Sequence, residues 1–116
     1  MSNKINAALA VLLLLLALPA IAEEMHPQLV PNGFQAITAL SEATGLSVPA
    51  GSTSAMICVE TDTVVWRDDG PAPTSTSGMA APAGLPCWLY SGSLSAIKFI
   101  AQTPANAPAI DVSFYR

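Results

Sequence analysis

The chain has 116 residues, 52% of them hydrophobic, and a formal net charge of −4 at pH 7. That length suits one small domain and not two. With 4 basic side chains against 8 acidic ones, the chain has no positive field with which to hold a phosphate backbone, which argues against direct nucleic-acid binding.

The chain opens "MSNKINAALAVLLLLLALPAIAEEM". A single Lys4 precedes an apolar run from Ala7 to Leu18, and Pro19 and the small-residue triplet "AIA" follow. This is the layout of a secretory signal peptide, and it predicts a leader helix over residues 1–22 with cleavage after Ala22. A membrane anchor needs about 17–25 apolar residues. The run here is shorter and broken by proline, so no stable membrane span is expected after cleavage. Cleavage leaves Arg67, Lys98 and Arg116 against eight acids, a net charge of −5. The expected location is the periplasm or the extracellular medium.

Residues 23–32, "EEMHPQLVPN", combine two prolines and two acids without any period and read as a flexible lead-in. Residues 33–116 form the single domain. In "GFQAITALSEATGLSVPAGS" a helical stripe of Phe34, Ile37, Leu40 and Thr44 competes with short strands around Ile37 and Val48. Further on, "SAMICVETD" and "TVVWRDD" are apolar, β-branched runs around a polar "ETDT" turn, the pattern of a hairpin. Alternation sets Ala55, Ile57 and Val59 against Met56, Cys58 and Glu60, and Val64 with Trp66 against Val65 with Arg67.

The Pro-, Gly- and Ser-rich "DDGPAPTSTSGMAAPAGLP" predicts turns and a short edge strand from Thr74 to Met79. "CWLYSG" and "SAIKFIAQ" read as strands joined by a Ser-Gly turn. In the closing "AIDVSFYR", Val112 and Phe114 alternate against Asp111, Ser113 and Tyr115. Several short strands without a long amphipathic helix predict an all-β antiparallel sandwich or small barrel.

Both cysteines lie beyond the leader, so an exported chain is expected to join Cys58 to Cys87. The alternative is two thiols packed as small apolar groups. By parity both point away from the main core, so a bridge is feasible on the outer face if their strands are neighbours.

No catalytic constellation assembles. The sole histidine, His26, sits in the lead-in, away from any nucleophile. Glu60, Asp62, Asp68 and Asp69 flank the expected hairpin, but "ETDT" and "RDDG" lack the spacing of a calcium loop. The expectation is therefore no catalytic, cofactor or metal site. In "WRDDG", Trp66 is read as a core anchor and Arg67 as an outward partner for an acid. Asp68, Asp69 and Gly70 are read as a turn. Trp66, Trp88 and Tyr90 could form a sugar-stacking platform, but the apolar parity favours a core role. Thr74, Ser75, Thr76 and Ser77 make an exposed loop and a candidate binding surface.

The strings "GFQAITAL", "GLSVPAGSTSAMICVE", "VVWRDDGPAPTSTSGM", "YSGSLSAIKFI" and "DVSFYR" occur in that order over residues 33–116. In this the chain resembles small virion-associated structural proteins of tailed bacteriophages and prophages. The resemblance implies a compact β fold and no enzymatic role. This sequence departs from that group in its cysteine pair and its export signal. The function expected is a non-enzymatic structural or accessory protein that docks on a protein of a virion or cell envelope, with self-association as a further partner state. The alternative is an exported module binding a small ligand or glycan through Trp88, Tyr90 and the "TSTSG" loop.

Overall fold

The computed structural model describes residues 28–116. The expected leader, its cleavage point and residues 23–27 of the lead-in lie outside the described residues. The remainder is a β-sandwich of two four-stranded antiparallel sheets. In chain order the strands are β1 (Pro31–Ile37), β2 (Thr44–Gly45), β3 (Ser54–Glu60), β4 (Val64–Arg67), β5 (Met79–Ala81), β6 (Trp88–Tyr90), β7 (Lys98–Ala101) and β8 (Ala109–Tyr115), with a 3-10 turn at Pro104–Asn106. The first sheet runs β1-β8-β3-β6 and the second β2-β7-β4-β5. No helix among the described residues is long and apolar enough to cross a membrane.

Alternation builds the core. Ala55, Ile57 and Val59 of β3 and Ile110, Val112 and Phe114 of β8 face inward, where they meet Val64, Phe99 and Ala101 of the second sheet. Phe99 and Ile57 have no exposed surface, and each fully buried side chain of this kind contributes about 1.5–3 kcal/mol. The faces assigned from sequence to β3 and β8 are those observed.

Two expected hairpins do not form. β3 and β4 lie in different sheets, as do β6 and β7. At the first corner Thr61 takes a left-handed φ of 76°, and the Asn106 amide donates to Asp62 Oδ2 at 2.6 Å, which turns the chain out of its sheet. β3 pairs instead with β8 from Ser54↔Tyr115 to Glu60↔Ala109 and with β6 on its other side. A seven-residue ladder with both inner faces buried outweighs what the four residues of β4 offer as a local partner. Alternation fixes a strand's face and says nothing of its neighbour.

The stripe from Phe34 to Thr44 is not helical. Phe34 and Ile37 belong to β1, Leu40 is buried in a loop, and Val48 lies outside any strand. β1 starts at Pro31, inside the segment expected as lead-in. Its edge is covered by the loop that follows β2: Ser47 N–H donates to Gln35 Oε1 at 2.8 Å, and Asn32 Nδ2 donates to Ala50 O at 3.1 Å and Ser52 Oγ at 2.7 Å. The edge strand expected at Thr74–Met79 begins at Met79 instead. Thr74 and Ser77 close a tight turn on each other at 3.0 and 3.2 Å, and only beyond Gly78 does the chain pair with β4.

Candidate functional site

β4 and β6 belong to opposite sheets, and their aromatic residues meet where the sandwich opens between its edge strands β5 and β6. Trp66 and Trp88 are half-buried and stack, with ring centroids 6.4 Å apart and planes at 26°. Tyr90 meets Trp66 edge-on at 6.2 Å. The indoles line a cleft of about 320 Å³ with Ala81, Pro82, Leu85 and Pro86. Leu85 is 62% exposed, a large apolar side chain set among prolines and glycine where a turn needs none. The aromatics expected in the core therefore divide: Tyr90 is buried, while Trp66 and Trp88 pack on the core and also wall a surface depression.

Beyond Trp66 the "RDDG" corner has the pairing expected for Arg67. Its Nε donates to Asp69 Oδ1 at 2.8 Å and its Nη2 to Asp69 Oδ2 at 2.6 Å, a planar two-point contact. The hydrogen bond to Arg67 holds the Asp69 carboxyl below its ordinary range and raises the guanidinium in turn. Gly70 follows with a φ of 109°, which lets the chain turn without a Cβ in the way. Asp68 has a role that the sequence does not signal: the Tyr90 hydroxyl donates to its Oδ2 at 2.7 Å and ties the corner of one sheet to an edge strand of the other. Trp66, Arg67, Asp68, Asp69, Ser77 and Met79 border a second open concavity of about 580 Å³. Of the candidate loop, Ser77 reaches that concavity; Thr74 and Thr76 are exposed beside it and Ser75 is half-buried.

The four acids weighed as a metal or carboxylate site do not converge. Asp62 bonds Asn106, which keeps its carboxyl low. Glu60 is held above its ordinary value, first by a hydrogen bond with Asp111 and then by the charge of that group. Asp68 and Asp69 are engaged by Tyr90 and Arg67 at the other end of β4. Among the described residues no group of three or more His, Cys, Asp or Glu side chains is placed to hold a metal ion.

Cys58 and Cys87 form a disulfide with Cα atoms 4.4 Å apart. Because Ile57 pairs with Trp88, the two cysteines are cross-strand neighbours, and both stand on the outer face of the first sheet. The bridge fixes the end of the 82–86 loop that walls the aromatic cleft.

The same outer face carries a row of three apolar side chains broken by one serine. Phe34 pairs with Ser113, Ser113 with Met56, and Met56 with Leu89, so these four side chains cross the sheet in line over about 14 Å. Phe34 is 68% exposed and Leu89 46%. No protein-family model, no curated protein and no solved structure matches the chain.

Proposed function

We propose that this protein is a non-enzymatic structural or accessory module of the phage and prophage type, exported from the cytoplasm, that docks on a protein of a virion or cell envelope through the outer face of its first sheet. The observation that carries the reading is the Phe34–Ser113–Met56–Leu89 row, which leaves two large apolar side chains in solvent on the outer face of the sheet. Exposed apolar side chains aligned on one sheet face offer a surface for contact with another macromolecule. The motif series over residues 33–116 and the small stapled sandwich support the same reading. The Cys58–Cys87 bridge fits an oxidising compartment.

The test is mass spectrometry of purified virions and envelope fractions from producing cells, following the peptide that ends in Arg116 and asking whether the N-terminus is Glu23. Wild-type protein should sediment with one of those particles, and Phe34→Asp combined with Leu89→Asp should release it. Recovery of both forms as free protein would sink the proposal.

A further inference from the structure

We propose a second, separate function: the concave strip from Trp88 across Trp66 to the Arg67–Asp69 pair binds a neutral saccharide. A pyranose ring presents an apolar C–H face ringed by hydroxyls. A site for it therefore combines aromatic surface with fixed polar side chains at the margin. Both parts occur here in adjoining depressions that share Trp66. The nearly parallel indoles, 26° apart, bring aromatic surface to the cleft from both sheets. The cleft's volume of about 320 Å³ falls at the lower end of the small-ligand range of about 300–1,000 Å³.

Charge narrows the ligand class. The cleft itself is lined by apolar and aromatic side chains, which disfavours an ionic ligand there. At the margin Arg67 and Asp69 neutralise each other through two bonds. That contact holds the guanidinium plane in place, and it uses two of five N–H donors and part of the carboxylate's acceptor capacity. What remains, with the Asp68 carboxylate that also borders this depression and accepts from Tyr90, is a set of donors and acceptors with a small net negative charge, which disfavours an anionic ligand and suits hydroxyl groups. An acyl chain would leave that margin unused. The disulfide at Cys87, next to Pro86, keeps the cleft wall in place before any ligand arrives, which lowers the ordering cost of binding.

The experiment applies the disulfide-intact protein to an array of immobilised microbial glycans and titrates any retained oligosaccharide against tryptophan fluorescence. At least one neutral oligosaccharide should be retained. Trp88→Ala should weaken it about tenfold or more and Arg67→Met about threefold or more. Leu89→Asp, on the docking face, should bind as the wild type does, so that loss of docking and loss of glycan binding are told apart. Arg67→Met keeps both indoles and reads the site even where Trp88→Ala does not fold. Retention of no glycan overturns the proposal, as does retention that neither substitution weakens. Quenching by a proline-rich decapeptide without any glycan retention also overturns it and gives the cleft to a peptide.

Discussion

The Tyr90 hydroxyl is buried beside Asp68; that burial, then the hydrogen bond and charge of Asp68, push its pKa up to about 12. An unfolded tyrosine ionises near pH 10, so the native chain holds a proton that the unfolded chain has begun to lose. The resulting stabilisation is complete below about pH 10 and disappears as the pH climbs toward 12. Denaturant midpoints measured from pH 8 to 12 should therefore fall over that upper window, and Tyr90→Phe should flatten the fall. Gly78 makes a second demand at single-residue scale. It sits at a φ of 146°, and a Cβ there would meet Val65 Cγ1 at 2.7 Å and Trp66 O at 2.9 Å. Gly78→Ala should cost about 1–3 kcal/mol, read by urea unfolding. The opposite sign is expected for Ser54, whose buried hydroxyl has no protein partner. Ser54→Ala should be neutral or stabilising by up to about 1 kcal/mol.

At the scale of elements, the disulfide and the WRDDG corner hold the open side of the sandwich in different ways. The bridge closes a span of 29 residues, which by loop-closure entropy stabilises the fold by about 3–4 kcal/mol. Cys58→Ser with Cys87→Ser should lose about that much in chemical unfolding. The same variant should also show faster hydrogen exchange in the 82–86 loop than in β8, because the bridge fixes that loop and the ladder holds β8. The corner contributes shape more than energy. Its Arg67–Asp69 pair is solvent-exposed, with side chains 27% and 58% accessible, and such pairs contribute about 0–1 kcal/mol. Asp69→Asn should therefore leave the melting temperature nearly unchanged while loosening the margin of the proposed saccharide site. Trp66→Ala should cost more, about 2–4 kcal/mol, since it removes contacts with the core, Trp88 and Tyr90 together.

For the whole molecule, the sequence by itself determined which sides of β3 and β8 face the core. The alternation of Ala55, Ile57 and Val59, and of Val112 and Phe114, assigned inner faces that are buried in the fold. It also placed Cys58 and Cys87 on the outer face and gave Arg67 an acidic partner two residues on. These features are local, because a strand's period of two and the reach of a guanidinium are fixed within a few residues. Tertiary structure alone decided the partners. β3 lies beside β8 and not beside β4, because pairing is won by the longest ladder that buries both inner faces, and that competition involves residues some fifty positions apart in the chain. The cleft follows from the same competition. Trp66 and Trp88 meet because their strands fall in opposite sheets, and Asp68 finds Tyr90 across that gap. No spacing between residues 66 and 90 encodes the encounter. The outer row from Phe34 to Leu89 is likewise a product of register across four strands, and register exists only once the strands have chosen their neighbours.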